Sequence, residues 1–302
     1  MKSTRRQIIT GIALLPLAAC ATRGASSLAG AQSFEAELTA LERASGGRLG
    51  VCLRNTATGE AMGHRASERF ALCSTFKLAL AAMVLKDIDD GVIAADLQLP
   101  ISEADMVPYA PVSTRYLATG RAPITALARA AQVESDNVAA NLILRQLGGP
   151  AAYTRRLRAL GDDLTRLDRT EPDLNHVLPG DARDTTTPAA MAKTMQAILL
   201  GNWLSPASTA LLWQWMRETQ TGLRRLRGGL PTDWAVGDKT GTAAYPDLGT
   251  KHNDVAMIVA PSGTRWMLTA YFEAAAANDP PRPEDDAVLA AVARAATAVI
   301  MG

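Results

Sequence analysis

The chain has 302 residues, with 31 lysines and arginines against 30 aspartates and glutamates, three histidines and three cysteines. The formal charge of +1 excludes the basic surface typical of nucleic-acid binding, and the 48% of apolar residues excludes a chain that is disordered throughout. Three cysteines cannot form a disulfide framework, and three isolated histidines form no metal-binding pair. We therefore expect a globular protein that needs no metal ion and no other cofactor.

Residues 1–20 are typical of an export signal. Positive charges precede the apolar run 8–19, and small residues end it. This run is shorter than the roughly 20 residues that a membrane-spanning helix needs. Arg5 and Arg6 resemble part of a twin-arginine signal. The segment therefore predicts an exported, periplasmic protein.

The end of this signal leaves two kinds of processing open. Leu17-Ala18-Ala19-Cys20 resembles a bacterial lipobox, in which Cys20 becomes a lipidated first residue and its lipid is the only membrane contact. Cleavage near residues 29–31 would instead release a protein without an anchor. Residues 21–33 are rich in Ala, Gly and Ser, which predicts a flexible tether between the signal and the folded part.

Residues 34–66 predict one helix followed by two strands. Apolar residues recur at helical spacing from Phe34 to Leu41, and Gly46-Gly47 ends this pattern. Alternation from Leu49 to Leu53 is typical of a strand, and the turn residues 55–59 lead into a second, shorter strand.

Residues 67–216 are rich in Ala and Leu and predict a series of helices separated by glycines and prolines. One stretch differs, because residues 166–188 carry three prolines and many charges without an apolar period. We assign residues 166–184 to a long loop, and long ordered loops in compact domains are often functional.

The end of the chain returns to strands, predicted at 234–243, 254–260 and 265–272, before a final helix at 286–301. Short connections between these strands predict antiparallel pairing. The expected fold is α+β: a five-stranded antiparallel sheet flanked by the N- and C-terminal helices, with an inserted all-helical domain. One domain would then comprise residues 34–66 and 217–302, and the helical domain residues 67–216.

Three short motifs carry candidate chemistry. Ser74 and Lys77 are three residues apart at the start of an apolar helix, so they lie on one face. A serine hydroxyl needs a base to become a nucleophile. Lys77 could provide that base through a lowered pKa, or it could stay charged and orient the hydroxyl. An ordinary N-terminal serine followed by a surface lysine is the alternative interpretation.

The second and third motifs are weaker when taken alone. In Ser135-Asp136-Asn137 the serine could relay a proton and the asparagine could bind an amide, although a simple turn would have the same composition. In Lys239-Thr240-Gly241 the glycine would let a ligand lie close to a strand, and the lysine could bind a carboxylate. The backbone N–H of Thr242 could point into the same space.

Together and in this order, the three motifs resemble those of the class A serine β-lactamases. The resemblance extends from about residue 34 to the C-terminus, and residues 169–175, Arg-Thr-Glu-Pro-Asp-Leu-Asn, match it inside the long loop. Tyr109 before Ala-Pro-Val, and Asn141 after the second motif, match it as well. It implies the hydrolysis of penicillins and cephalosporins through a serine acyl-enzyme, and hence antibiotic resistance.

The resemblance also implies catalytic roles. Ser74 would attack the lactam carbonyl, with Lys77 and Glu171 sharing the role of base in acylation. Glu171 would then activate the water that hydrolyses the acyl-enzyme, and Ser135 would pass a proton to the departing nitrogen. The backbone N–H groups of Ser74 and Thr242 would form the oxyanion hole.

Substrate binding falls to a second set of residues under the same resemblance. Their implied roles are to bind the substrate's carboxylate or side-chain amide, to hold the hydrolytic water and to line the entrance. These residues are Asn137, Asn175, Lys239, Thr240, Gly241, Thr242, Arg225 and Tyr109. The resemblance further implies a salt bridge between Arg169 and Asp184 and a cis peptide bond between Glu171 and Pro172.

Two features depart from the family pattern. Cys73 precedes the nucleophile as it does in carbapenem-hydrolysing members, but Ala243 stands where their second cysteine would be. We therefore expect Cys52 and Cys73 to be small buried thiols. Residues 244–251 are also longer than the family pattern, which makes the rim of the site hard to predict.

Two other functions share part of this pattern. A D-Ala-D-Ala peptidase or transpeptidase would use the same Ser74 and Lys77 but would deacylate slowly, and Glu171 with Asn175 argues against it. A non-enzymatic β-lactam sensor would normally be joined to a membrane-spanning region, and no such apolar segment follows residue 20. The expected partner is a small β-lactam bound by a monomer, with no nucleic acid.

Overall fold

The structure is a computed structural model that describes residues 18–277 and 282–302. Its helices, in chain order, are α1 (Ala18–Ser45), α2 (Phe76–Asp89), α3 (Ile124–Val133), α4 (Asn137–Gln146), α5 (Gly149–Ala159), α6 (Pro188–Leu200), α7 (Pro206–Glu218), α8 (Leu226–Gly229) and α9 (Pro283–Met301). Its strands are β1 (Arg48–Asn55), β2 (Ala61–His64), β3 (Phe70–Ala71), β4 (Gln98–Pro100), β5 (Arg121–Pro123), β6 (Thr185–Thr186), β7 (Ala235–Tyr245), β8 (Gly249–Val259) and β9 (Arg265–Ala274).

Five of the strands form one antiparallel sheet in the order β2-β1-β9-β8-β7. The first two strands and the last three come from opposite ends of the chain, and β1 pairs with β9 along its whole length. This arrangement confirms the predicted α+β fold. The sequence could predict the antiparallel pairing because only short turns join β7 to β8 and β8 to β9. Strands joined by such turns can pair only in antiparallel fashion.

The two faces of the sheet are buried by different helices. Alternate residues of β1, Leu49, Val51 and Leu53, lie in an apolar cluster with residues of α1 and α9. Cys52, which points the other way, lies in the larger cluster formed by α2 to α7. The long helical insertion therefore packs against one face of the sheet, while the terminal helices cover the other. The domain boundaries given above stay a prediction.

The region between β2 and β7 is less purely helical than expected. It also contains two short strand pairs, β3 with β6 and β4 with β5. The first pair joins the segment before Ser74 to the end of the long loop, through Phe70 with Thr186 and Ala71 with Thr185. Two-residue strands carry too little alternation to be recognised in a sequence.

The prediction of a flexible tether at residues 21–33 was wrong, because α1 begins at Ala18 and runs through that segment. Its many alanines, which suggested a linker by composition, also have the highest helix propensity. Helix α9 begins at Pro283, three residues before the predicted start, because proline suits a first helical position and the following acidic residues favour a helix N-terminus.

Residues 1–17, which carry most of the predicted signal, lie outside the described residues, and so does the side chain of Cys20. Across the part that the structure describes, no helix is long and apolar enough to cross a membrane. The same residues contain no group of three or more acidic, histidine or cysteine side chains arranged to hold a metal ion.

Candidate active site

Ser74 lies at the junction between the sheet and the helical region. It occupies a short 3-10 turn, Cys73–Thr75, that leads directly into α2. Cys73 has a φ of +43°, in the left-handed region that side chains rarely adopt. Such local strain is characteristic of functional sites, and here the residue next to Ser74 carries it.

Lys77, in the first turn of α2, is fully buried and reaches four acceptors. Its ammonium lies 2.9 Å from Ser74 Oγ, 2.9 Å from the carbonyl oxygen of Ser135 and 2.5 Å from Asn137 Oδ1. It also forms an ion pair with Glu171 Oε1 at 2.9 Å. Because an ammonium has only three N–H donors, these four acceptors compete for it. Lys77 therefore connects the first two motifs to the long loop.

The second motif, Ser135-Asp136-Asn137, forms the turn that leads into α4. Ser135 has a φ of +60°, and its hydroxyl accepts a hydrogen bond from Lys239 Nζ at 3.0 Å. Asp136 is the N-cap of α4 and accepts from the backbone N–H of Ala139 at 2.8 Å. The same buried carboxylate accepts from the N–H groups of Val112 and Ser113. Asp136 thus has a structural role, because it holds the turn before α4 in place.

Tyr109 is linked to the site through Asn137. The Asn137 side-chain amide donates to the carbonyl oxygen of Pro108 at 2.8 Å, and its backbone N–H donates to the carbonyl oxygen of Tyr109 at 3.0 Å. Tyr109 has a φ of +66° and an exposed ring, in keeping with a residue at the entrance.

Glu171 is placed by the asparagine that follows the second motif. Asn141 Oδ1 accepts from the Glu171 N–H, and its Nδ2 donates to the Glu171 carbonyl oxygen, both at 2.9 Å. The predicted cis peptide bond between Glu171 and Pro172 is confirmed. Asn175 Nδ2 donates to Glu171 Oε2 at 2.6 Å, while its Oδ1 is buried and has no hydrogen-bond partner among the described residues. One carboxylate oxygen of Glu171 thus faces Lys77 and Ser74, and the other faces Asn175.

The predicted salt bridge that holds the two ends of the long loop together is also confirmed. Arg169 Nε lies 2.6 Å from Asp184 Oδ2. Asp184 is fully buried and accepts in addition from the backbone N–H groups of Asp168 and Arg169. The loop is therefore closed at its base by one carboxylate.

The third motif lies on β7, at the edge of the sheet next to Ser74. A Cβ atom on Gly241 would lie 3.1 Å from the backbone nitrogen of Ser74 and 3.0 Å from Cys73 Cβ, so only glycine allows this approach without movement. Lys239 is fully buried, and burial together with the nearby charge of Lys77 holds the pKa of Lys239 well below its usual range. Thr240 Oγ1 lies 2.6 Å from Thr221 Oγ1.

Arg225 supports the third motif from behind. It is buried, and its guanidinium donates to Thr242 Oγ1 at 2.6 Å and to the carbonyl oxygen of Gly241 at 3.0 Å. On its other side it forms an ion pair with Asp286 at 2.7 Å. His252 Nδ1 lies 3.2 Å from the same carboxylate. These charges lower the pKa of Asp286 to about 2, against the effect of its partial burial.

His252 and Asp286 escaped the sequence analysis. His252 is isolated in the sequence, and Asp286 belongs to a run of acidic residues that is typical of any helix N-terminus. Only the pairing of β8 with β7, which sets His252 opposite Thr242, brings them behind the third motif. No sequence signal pointed to this pairing.

The structure shows the surroundings of the two features that depart from the family pattern, the cysteines and residues 244–251. Cys52 and Cys73 are free and buried, as predicted, and burial raises the pKa of Cys73 to about 12. Ala243 packs against Cys73 in a small apolar cluster. The extra residues of 244–251 lengthen the β7–β8 hairpin, and at its tip Tyr245 contacts the ring of His176 in the long loop, with centroids 4.8 Å apart.

Direct contacts therefore connect seven of the predicted residues, and the third motif lies against them through Gly241. The seven are Ser74, Lys77, Ser135, Asn137, Glu171, Asn175 and Lys239. Thr240 and Thr242 are neighbours of Gly241 on β7, and Arg225 binds Thr242. The centre of the site holds a hydroxyl, a buried ammonium and a buried carboxylate in mutual contact. This arrangement can activate a serine hydroxyl.

Comparisons with known proteins agree on one family. Residues 33–300 match the family model described as the β-lactamase enzyme family. Beta-lactamase Toho-1 of Escherichia coli is 43% identical over 271 residues, which are 90% of each chain. Beta-lactamase L2 of Stenotrophomonas maltophilia is 42% identical over 288 residues, 95% of this chain and 92% of the relative.

Solved structures give the same result. A β-lactamase from Xanthomonas campestris pv. campestris superposes with a TM-score of 0.84 at 42% identity, covering 90% of this chain and 98% of the other. The reconstructed last common ancestor of the class A β-lactamases of Gram-negative bacteria superposes with a TM-score of 0.84 at 46% identity. That match covers 89% of this chain and 99% of the ancestor.

Proposed function

The chain belongs to the class A serine β-lactamases, and from this membership we propose how its own residues open the β-lactam amide bond. The observation that carries the proposal is the position of Lys77, whose buried ammonium lies 2.9 Å from both Ser74 Oγ and Glu171 Oε1. Ser74 Oγ also lies 3.3 Å from Glu171 Oε1, so its proton can reach this carboxylate directly or through Lys77. The products are the ring-opened acids of penicillins and cephalosporins, and their formation confers resistance.

Acylation begins when Ser74 Oγ attacks the lactam carbonyl carbon. The hydroxyl proton passes to the Lys77–Glu171 pair, and the carbonyl oxygen becomes an oxyanion bound by the N–H groups of Ser74 and Thr242. When the C–N bond breaks, Ser135 donates its proton to the nitrogen. Ser135 recovers a proton through its neighbours, since its hydroxyl contacts Lys239 and its carbonyl oxygen contacts Lys77.

Deacylation uses the opposite side of Glu171. A water between Glu171 and Asn175 loses a proton to the Glu171 carboxylate and attacks the ester carbon, and Ser74 leaves as its hydroxyl. The buried Asn175 Oδ1, which has no partner among the described residues, supplies an acceptor suited to the second proton of that water. This arrangement favours a hydrolase over a peptidase that stays acylated by lactams.

The third motif binds the substrate's carboxylate. Lys239 supplies the charge, and the hydroxyl groups of Thr240 and Thr242 supply hydrogen bonds. An anion beside Lys239 offsets the burial that depresses the pKa of this lysine. Asn137 binds the substrate's side-chain amide, Tyr109 lines the entrance, and Gly241 lets β7, which carries Lys239 and Thr240, lie against the backbone of Ser74.

A single experiment tests this assignment. The purified protein should turn over a chromogenic cephalosporin many times per active site, with the same rate in the presence of a metal chelator. The Ser74→Ala variant should be inactive, while a serine variant on the surface, Ser262→Ala, should match the wild type. Stoichiometric labelling without turnover would instead indicate a slowly deacylating peptidase or a sensor.

We further propose that the protein is exported to the periplasm as a monomer and that Cys20 is its lipid attachment site. The proposal is supported by the charged and apolar pattern of residues 1–20. The intact mass of the protein recovered from cells should show a lipid that the Cys20→Ser variant lacks. A mature N-terminus near residues 29–31 would instead show cleavage without an anchor.

A further inference from the structure

A cavity of about 500 Å³ lies beside the long loop. It is formed by the loop residues 177–181, by Leu248 in the β7–β8 turn, and by residues of the segment before Ser74 and of the sheet. We call this space the loop cavity. Its volume falls in the range of small-molecule sites, roughly 300–1,000 Å³, and is far larger than one water needs.

Lys251 supplies an unusual charge to the loop cavity. This residue of β8 is only 4% exposed, yet its ammonium forms no ion pair or hydrogen bond with any residue that the structure describes. Its cross-strand neighbour, Glu273, is paired with Arg48 at 2.9 Å instead. A buried cation without a partner is costly, so an anion in contact with Lys251 would be favourable.

None of the carboxylates that line the cavity neutralises Lys251. Its remaining carboxylates are already paired, Glu68 with Arg48 at 3.2 Å and Asp181 with Arg183 at 2.7 Å. Arg69, by contrast, donates only to neutral oxygens, the Leu164 carbonyl and the Thr185 hydroxyl, both at 2.9 Å. Lys251 and Arg69 are therefore two cavity cations with no carboxylate partner among the described residues.

The rest of the wall is apolar. Val177, Leu178 and Pro179 come from the long loop, and Leu248 faces them from the hairpin turn. Leu178 is about half exposed, so this side of the cavity opens to solvent. A wall of this kind suits the body of an organic molecule and not an inorganic ion alone.

We propose that the loop cavity binds a small organic carboxylate, with its anionic group at Lys251 and Arg69 and its apolar body against the wall of Val177, Leu178, Pro179 and Leu248. The site is separate from the carboxylate site at Lys239, because Lys239 lies on β7 facing Ser135 whereas Lys251 faces the loop cavity from β8. The proposal concerns binding only and does not depend on the roles assigned to Ser74 or Glu171.

Benzoate and benzamide form a matched pair of probes, since they have the same size and differ in charge. In a titration of the ¹⁵N-labelled protein followed by NMR, benzoate should shift the amide signals of residues 177–181 and 248 in a saturable way. Benzamide should bind at least tenfold more weakly, because it lacks the charge-assisted hydrogen bonds. Equal binding of the two probes would overturn the proposal.

The Lys251→Gln variant should weaken benzoate binding at these signals about tenfold, whereas Lys251→Arg should keep it within about threefold. If Lys251→Gln does not fold, Leu248→Glu at the rim provides the same test, because its added negative charge should abolish benzoate binding. Shifts confined to residues 239–242 that persist in both variants would place benzoate at the active site alone and contradict the proposal. None of these measurements uses turnover. Their outcome can therefore be interpreted even if the proposed enzymatic roles are wrong.

Discussion

The Lys77 ammonium lies 2.9 Å from Glu171 Oε1, and the two side chains are only 0% and 1% exposed. Two opposite charges withdrawn from water hold each other in place, because removing either one would leave its partner buried without compensation. The same pair touches Ser74 Oγ, Glu171 from 3.3 Å and Lys77 from 2.9 Å. One buried ion pair thus serves both chemical steps, and the two steps can be separated by changing only the carboxylate.

The Glu171→Gln variant should acylate but deacylate very slowly. Glutamine keeps the size of the side chain but cannot take a proton from water, and general-base catalysis contributes about 10²–10⁴-fold in rate. Intact mass spectrometry after mixing with a penicillin should show the protein plus one substrate mass, persisting for minutes or longer. The exposed Glu60→Gln should behave as the wild type. Normal turnover by Glu171→Gln would refute the role given to this residue.

Arg225 and its neighbour Arg224 provide a second matched test. Arg225→Ala removes the hydrogen bond to Thr242 Oγ1, so KM for carboxylate-bearing substrates should rise about tenfold or more while kcat changes less. Arg224, whose side chain is 76% exposed and lies 3.7 Å from Asp286, should tolerate alanine without effect.

Comparing the effects on KM and kcat distinguishes a loss of substrate binding from a folding defect. A purely structural defect would lower the fraction of active protein and therefore kcat, leaving KM unchanged. Arg225→Lys keeps the charge but cannot make the same set of hydrogen bonds, so its KM should lie between those of the wild type and the alanine variant. An Arg225→Ala variant with unchanged KM would remove Arg225 from the substrate-binding set.

Much of the site could be predicted because its motifs are local. Ser74 and Lys77 are adjacent on one helical turn, and Lys239, Thr240 and Gly241 are consecutive on one strand, so short spacing alone groups them. The strands were recognisable for a similar reason, since β1, β8 and β9 carry long apolar or alternating runs.

What escaped prediction depends on contacts between distant segments. The ion pair of Arg225 with Asp286 joins residues 61 positions apart, and the bond from Lys239 to Ser135 spans 104. The loop cavity is likewise assembled from five separate stretches of chain, and nothing in the sequence around Lys251 marks it as buried. The helix at residues 21–33 was missed because alanine-rich composition fits both a linker and a helix.

Among the acidic residues of the long loop, we expect Asp184 to contribute far more than Asp181 to the free energy of unfolding. Asp184→Asn weakens a buried carboxylate that accepts from Arg169 Nε and two backbone N–H groups, which should lower the free energy of unfolding by about 2–4 kcal/mol. Asp181→Asn, which breaks a pair on the surface of the same loop, should change it little. Urea denaturation measures both variants. Similar losses would mean that Asp184 has no special role in the loop.

Two buried carboxylates behind the third motif should make stability depend on pH. Asp254 is fully buried, and burial together with the nearby charge of Asp238 raises the pKa of Asp254 well above its usual range. Burial also raises the pKa of Asp238, against the opposing effect of Arg227. Asp254 Oδ1 and Asp238 Oδ2 are both buried without a hydrogen-bond partner among the described residues, so neither oxygen has a donor that would stabilise the ionised carboxylate.

A carboxyl group whose pKa is raised by folding stabilises the protein fully below its ordinary value of 3.8, and this contribution is lost as the pH rises through the raised pKa. The free energy of unfolding of the wild type should therefore fall in that window, by about 1.4 kcal/mol for each unit by which the pKa is raised. Asp254→Asn keeps an acceptor for the Leu226 N–H but cannot ionise, so its stability should be flatter over the same range. Urea denaturation at a series of pH values compares the two, with the exposed Asp233→Asn as control. If Asp254→Asn loses stability with rising pH as steeply as the wild type does, Asp254 is not the source of the pH dependence.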